Sequence, residues 1–280
     1  MAEITAAAVG KLREMTNAGL MDCKKALTEA VGDLDAAVEI LRKRGIAQAA
    51  KKAGRDAREG VIAQYLTPDG RSGVLAEINC ETDFVAKNDT FRAFCEEVAR
   101  SLVAETAPDL EAQRVAAVAK IGENILIARH TRLDLTGPGL IAAYIHTGAK
   151  VGVLLEVGCG KDATVSQEPF KQLVKDITLQ IAAAHPTAVD RSGVPADVVA
   201  KERDIAAQSD RLKGKPAQAM EKILQGVIDK YYQSVCLLEQ AFVKNPDQTV
   251  QQHLEGVAKQ LDDTLSIRRF HRWQVGEATA

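Results

Sequence analysis

The sequence is poor in aromatic residues and has no strong excess of charge of either sign. Phe, Trp and Tyr make up 4% of the 280 residues, whereas hydrophobic residues make up 46%. Lys and Arg number 36 and Asp and Glu 38, which gives a net charge of -2. Phosphate binding favours a clear basic excess, so this balance argues against a protein that wraps nucleic acid. Abundant alanine with few aromatics predicts closely packed helices and small cores.

Long hydrophobic runs and paired cysteines are also missing. No apolar stretch reaches the roughly 20 residues that a transmembrane helix needs, and the first residues lack the regions of a signal peptide. The cysteines are widely spaced, without a CxxC pair: Cys23, Cys80, Cys95, Cys159 and Cys236. These features predict a reduced, cytoplasmic protein with buried thiols and no membrane contact.

Motifs of common enzymes and metal sites are absent. The five histidines show neither HExxH spacing nor clustering with cysteine, and no GxSxG, Walker A or dinucleotide motif occurs. Residues 158–161 are glycine-rich, but a turn at a strand end explains them better than a phosphate loop. We therefore predict a protein that acts by binding, without a catalytic residue, metal or cofactor of its own.

Residues 1–54 are predicted to form a helical domain of three helices, which we call the head. Apolar residues recur at helical spacing through Met15, and a second short helix follows over residues 21–27. Asp33 predicts an N-cap for a third helix, which ends either at Gly45 or, through an alanine-rich run, near Ala53.

The rest of the chain contains an internal duplication. Residues 61–84 align without gaps to residues 140–163, an offset of 79 positions. Each copy is predicted to form strand, turn, strand and amphipathic helix, and to close with a further strand. The aligned pairs include Tyr65 and Tyr144, Gly73 and Gly152, Glu77 and Glu156, and Cys80 and Cys159. We interpret the two cysteines as equivalent small buried positions.

The second copy carries a longer, helical and charge-rich insertion. Residues 213–216 interrupt it and predict a protruding helical hairpin at about residues 190–235. The predicted architecture is α+β: the head, a core subdomain over residues 55–139, and a related subdomain over residues 140–280. Each subdomain has an antiparallel sheet with helices, and the second carries the hairpin as a coiled-coil arm.

The connection between strand and helix in the first copy holds the strongest local signal. In one interpretation, Asp83 caps the helical turn and Phe84 fills the small core. The duplication favours another: Asp83 has Asp162 as its counterpart, but Phe84 has Ala163, so the scaffold does not need an aromatic there. Phe84 is therefore a candidate interface anchor.

The two predicted hairpin turns also differ. The turn of the second copy begins with His146, where the first has Thr67. His146 is either an exposed turn residue without a role or a second contact.

Several ordered segments resemble bacterial elongation factor Ts. They are residues 12–27 (LREMTNAGLMDCKKAL), residues 82–85 (TDFV), residues 120–125 (KIGENI) and the hairpin at residues 146–154. The likeness runs from residue 1 to about Glu277. It implies a ubiquitin-associated-like head, a core of two related subdomains, a coiled-coil arm and a C-terminal module. It also implies a guanine-nucleotide exchange factor for elongation factor Tu, with GDP or GTP held by that partner and no direct contact to nucleic acid.

The resemblance implies three groups of contact residues. One group approaches the Mg²⁺ site of the partner, with the phenylalanine entering between two helices: Thr82, Asp83, Phe84 and Val85. A second group, in the head, binds another face of the partner's G domain: Arg13, Leu20 and Met21. The last group comprises Ile125 with its neighbours, which press on the same side as the first group, and His146, which contacts a further domain. Four positions depart from the usual family residues: Asn17, Leu20, Thr147 and Ala241.

Two other function classes remain open at this point. Basic clusters in the head, at residues 24–25, 42–44 and 51–52, suggest an RNA-binding accessory protein, although such runs on helices are usually solvated faces. The scattered histidines and cysteines are the basis for an enzyme.

Overall fold

The computed structural model describes residues 4–16, 18–104, 108–209 and 216–277. Within them the chain forms ten α-helices, two three-stranded antiparallel sheets and a small β-hairpin, which confirms the predicted α+β class. No helix in this part of the chain is both long and apolar enough to cross a membrane.

The elements follow one another in this order: α1 (Ala6–Thr16), α2 (Leu20–Glu29), α3 (Leu34–Lys52), β1 (Glu59–Leu66), β2 (Ser72–Cys80), α4 (Asp83–Ala86), α5 (Asp89–Ala104), α6 (Leu110–Ile121), β3 (Ile125–Asp134), β4 (Gly139–Ile145), β5 (Val151–Cys159), a 3-10 turn (Asp162–Ser166), α7 (Glu168–Ala184), α8 (Ala196–Ala207), α9 (Ala217–Val235), β6 (Ala241–Phe242), β7 (Asn245–Thr249), α10 (Val250–Gln260) and β8 (Leu265–Gln274).

The head consists of α1, α2 and α3, packed around buried Leu12, Cys23 and Leu27. Asp33 caps α3 as predicted, because its side chain accepts a hydrogen bond of 2.9 Å from the backbone N–H of Ala36. The helix does not end at Gly45 but continues to Lys52. Gly45 is buried there and faces α6, so the glycine allows close packing of two helices.

The duplication is visible in the topology of the two sheets. Their strand orders are β1-β2-β3 and β4-β5-β8, and each central strand has a register shift at the equivalent place, after Glu77 and after Glu156. Cys80 and Cys159 are both buried, as predicted. Each of their Sγ atoms donates to the carbonyl two residues later, over 3.2 Å and 3.3 Å respectively.

One face of each sheet packs on the helices of its own repeat, around Phe91 of α5 in the first and Phe170 of α7 in the second. The other two faces pack against each other. This shared core consists of residues at equivalent positions: Ile62 with Ile141, Leu75 with Leu154, Leu133 with Trp273, and Leu135 with Val275.

Two arginines extend this symmetry to the edge of the interface. Arg129 donates to the carbonyl of Gln274 over 3.2 Å, and Arg269 donates to the carbonyl of Asp134 over 3.2 Å. The four residues are equivalent in pairs. Such reciprocal contacts are those of a two-fold interface, here formed within a single chain.

The predicted arm is an antiparallel pair of helices, α8 and α9, joined by an ion pair of 2.6 Å between Arg203 and Glu221. The predicted break at residues 213–216 lies outside the described residues except for Pro216, which directly precedes α9. At the base, the Arg191 guanidinium binds Glu239 and Asp229 and stacks 4.5 Å from the ring centre of Tyr232.

The arm does not account for all of the extra length of the second repeat. The strands β6 and β7 also lie in the insertion, between the arm and α10. The α10 helix is the counterpart of α6, at an offset of 140 positions. The start of α10 could be predicted from the sequence, because Thr249 and Gln252 have the spacing of the reciprocal capping box that they form.

Candidate binding site

The connection between β2 and α5 is a single helical turn, α4, whose cap differs from the sequence prediction. Thr82 has an extended backbone, and its Oγ1 accepts from the N–H of Val85 over 3.3 Å. Asp83 does not cap the helix but occupies its first turn, where it forms an ion pair of 2.7 Å with Lys87. This contact lowers the pKa of Asp83, so the carboxylate is charged at neutral pH.

Phe84 does not fill the core. Its side chain is 80% exposed, whereas the nearby Phe91 is fully buried. The same helical turn is attached to the first repeat through Ala86, which is buried, and Val85, which packs against the core. The structure therefore presents an unpacked aromatic ring on a short, attached helix.

Hydrogen bonds from the segment before β3 hold this connection in place. The Glu123 carboxylate accepts from the backbone N–H groups of Glu81 over 3.0 Å and of Thr82 over 3.1 Å. It also accepts from the Thr82 hydroxyl over 2.7 Å. In return, Glu81 accepts from the N–H of Asn124 over 2.6 Å. This role of Glu123 was not predicted from the sequence. The sequence signal for it is the offset of 140 positions, which pairs Glu123 with another acid, Asp263.

Ile125 follows directly as the first residue of β3, and its side chain is fully buried in the core of the first repeat. The predicted contact by Ile125 and its neighbours stays a prediction, but the Ile125 side chain has no exposed surface through which to make it. The next residue, Leu126, is 39% exposed and is the apolar group that the start of β3 presents.

The head residues singled out from the sequence lie on its surface. Leu20 and Met21 begin α2 and are more than half exposed, and Met15 near the end of α1 is exposed as well. Arg13 is also exposed. We call Met15, Leu20 and Met21 the apolar head surface.

The basic clusters of the head are interleaved with acidic side chains. Lys43 pairs with Glu39 over 3.4 Å, and Arg44 pairs with Glu29 of the neighbouring helix. These pairs fit a solvated helix surface better than a phosphate-binding patch.

His146 is exposed at the turn between β4 and β5. Its Nδ1 lies 3.0 Å from the hydroxyl of Tyr144, and its backbone N–H donates to Val151 over 2.9 Å. The turn is held by the other repeat, since the carbonyl of Ala149 accepts from the N–H of Ile62 over 2.7 Å. The predicted contact residues thus lie on four segments: the head, the α4 connection, the start of β3 and this turn.

The thiols are poorly suited to nucleophilic chemistry. All five cysteines are buried, and burial raises the pKa of Cys80 to about 12 and that of Cys236 to about 11. Among the described residues, no group of three or more His, Cys, Asp or Glu side chains could hold a metal ion. The predicted segments offer apolar side chains, which suit binding.

The fold and these surfaces define a duplicated α+β protein that presents an exposed phenylalanine. The family model described as elongation factor TS matches residues 81–277. The elongation factor Ts of Trichlorobacter lovleyi is 44% identical over 98% of this chain and 93% of its own length. That of Chloroherpeton thalassium is 44% identical over 99% of this chain and 100% of its own length. The chain belongs to the elongation factor Ts family.

Proposed function

We propose that this chain binds elongation factor Tu in its GDP-bound form and promotes release of GDP, so that GTP can bind. The observation that carries the proposal is Phe84, an exposed aromatic ring on α4 at a position where the second repeat has Ala163. The scaffold does not need this ring for its own core. Burying a phenylalanine in a partner contributes roughly 1.5–3 kcal/mol, which is enough to shift a conformational equilibrium.

The α4 segment acts at the Mg²⁺ and phosphate site of the partner. Phe84 enters between two helices, with Thr82 and Val85 beside it, and moves groups that hold the metal ion. Asp83 brings a charged carboxylate, which repels phosphate and is a ligand type that Mg²⁺ accepts. Because Mg²⁺ bridges to the phosphates and contributes much of the nucleotide affinity, its displacement weakens GDP binding.

The exchange then follows from linkage between two binding events on the partner. A protein that favours the nucleotide-free state weakens GDP binding by the same factor by which GDP weakens the complex. This chain therefore needs no nucleotide site, cofactor or catalytic residue, and it contacts neither nucleic acid nor membrane. We place this activity in the cytoplasm.

Further contacts hold the partner while Phe84 acts. Leu20, Met21 and Arg13 of the head bind a second face of the G domain, and His146 binds another domain. At the start of β3, the contact is made by Leu126, since Ile125 is buried.

The experiment that tests the proposal is release of a fluorescent GDP analogue from purified elongation factor Tu, with and without this chain. We expect wild type to accelerate release and Phe84→Ala to lose most of the acceleration. Val243→Ala serves as the matched control, since Val243 is an exposed apolar residue of the β6–β7 hairpin outside the proposed contacts. Absence of acceleration by the folded wild type would refute the exchange function. Wild-type rates in Phe84→Ala would refute the role of α4.

A further inference from the structure

Two carboxylates at equivalent positions hold the same connection in the two repeats. In the first, Glu123 binds the backbone N–H groups of Glu81 and Thr82 and the Thr82 hydroxyl. In the second, Asp263 accepts from the N–H groups of Gly160 and Lys161, both over 3.1 Å. It also accepts from the hydroxyl of Thr164 over 2.6 Å. Each acid thus ties the end of a central strand to the segment before the last strand of its sheet.

The two connections differ in what they present. The connection tied by Glu123 holds Phe84, and the one tied by Asp263 holds Ala163. We call the hydrogen bonds of Glu123 and those of Asp263 the two tethers. The tether of the second repeat therefore shows what such hydrogen bonds contribute to folding alone.

The tether matters for Phe84 because little else fixes the ring. With 80% of its surface exposed, Phe84 has little packing of its own, and the direction of its side chain depends on the backbone around it. The Thr82 hydroxyl donates to Glu123 and at the same time accepts from the N–H of Val85. Glu123 thereby constrains the residues on both sides of Phe84.

We propose that Glu123 is a positioning residue for nucleotide exchange: it fixes the α4 connection so that Phe84 enters the partner in one orientation. This inference rests on the proposed exchange function. Fixing the segment before binding removes the ordering cost at the interface. A loosened connection still binds through the head and the second hairpin, but it places the ring correctly only part of the time.

The test compares Glu123→Ala with Asp263→Ala, which removes the equivalent tether from the repeat without the phenylalanine. The maximal rate of GDP-analogue release and the concentration of half-saturation are measured, with thermal unfolding for each variant. We expect Glu123→Ala to lower the maximal rate about ten-fold, with little change in half-saturation, since misplacement of an acting group by ~1 Å can cost up to 100-fold. We expect Asp263→Ala to lose a similar amount of stability while its maximal rate stays close to that of wild type. Equal losses of rate in the two variants would overturn the inference.

A double mutant separates positioning of Phe84 from any other effect on exchange. In the Phe84→Ala background, Glu123→Ala should cause no further loss of maximal rate, because there is no ring left to position. A further ten-fold loss would overturn the role of Glu123. If Phe84→Ala alone exchanges at the wild-type rate, the proposed action of α4 has failed instead, so the two failures are distinguishable.

A milder pair of variants covers the case in which Glu123→Ala does not fold. Thr82→Val removes the hydroxyl that links Glu123 to Val85 but leaves the two backbone hydrogen bonds. Thr164→Val removes the hydroxyl that binds Asp263 in the second repeat, outside the proposed contacts. We expect a reduced maximal rate for Thr82→Val and a rate close to that of wild type for Thr164→Val. Equal rates for the two variants would overturn the inference.

Discussion

Gly73 and Gly152 occupy equivalent positions at the interface between the two sheets. Each glycine faces two side chains of the other repeat, and the two pairs of side chains are also equivalent. A Cβ atom at Gly73 would lie 2.8 Å from Ile141 and 3.0 Å from Leu154. A Cβ atom at Gly152 would lie 2.4 Å from Ile62 and 3.0 Å from Leu75, the equivalent pair. The absence of a side chain at both positions thus sets how closely the sheets approach.

We expect Gly73→Ala to destabilise the protein by about 1–3 kcal/mol, because an added methyl group overpacks this interface. The effect is measured as the free energy of unfolding in urea. Gly256→Ala is the matched control, because a Cβ atom there would have no neighbour within 4 Å, and its helix should tolerate or favour alanine. Unchanged stability in Gly73→Ala would contradict the close approach of the two sheets.

The two phenylalanines of the first repeat should separate stability from binding. Phe91→Ala removes a fully buried ring and should cost about 3–5 kcal/mol of unfolding free energy. Phe84→Ala removes an exposed ring and should change stability by less than about 0.5 kcal/mol. Urea unfolding of both variants measures the difference. A large loss of stability in Phe84→Ala would mean that the ring serves the fold.

The exposure of Phe84 could be predicted from the sequence because the duplication supplies a comparison within one chain. The pairing of Phe84 with Ala163 showed that the scaffold needs no aromatic there. The same logic, applied at the offset of 140 that relates α6 to α10, pairs Glu123 with Asp263.

Other features depend on contacts that no local pattern reveals. Thr82 and Asp83 are both good helix caps, and the choice between them depends on Glu123, 41 residues away from Thr82. Ile125 begins a strand whose inward and outward faces cannot be distinguished until the partner strand and α5 are in place. The length of α3 depends on α6, since Gly45 ends a helix in isolation but also permits close packing against a neighbour.

Glu156 is a buried carboxylate that connects β5 to β8 in the second repeat. Its oxygens accept from Arg268 over 3.0 Å and from Arg269 over 2.7 Å. We expect Glu156→Ala to lower the free energy of unfolding by about 3 kcal/mol. This value is at the lower end for a broken buried ion pair, because Arg269 is half exposed and its guanidinium can be solvated instead. Glu39→Ala, which breaks the exposed pair with Lys43, should cost less than about 1 kcal/mol. Similar losses for the two variants in urea unfolding would contradict this difference in burial.

His253 should make the stability of the protein fall as the pH drops below neutral. Its ring stacks on Phe242 at 4.2 Å between ring centres. Burial, together with the positive charge of Lys244, lowers the pKa of His253 below the ordinary 6.5, although Asp176 opposes the shift.

The folded protein therefore binds a proton at this ring less readily than the unfolded chain does. The stabilisation is present above the unfolded pKa and is lost as the pH falls from there through the lower folded pKa, because protonation favours the unfolded state. We expect the Tm of wild type to fall more between about pH 7.5 and about pH 5.5 than that of His253→Gln, which cannot titrate in this range. Parallel Tm curves for the two proteins would show that burial of His253 does not contribute to the pH dependence.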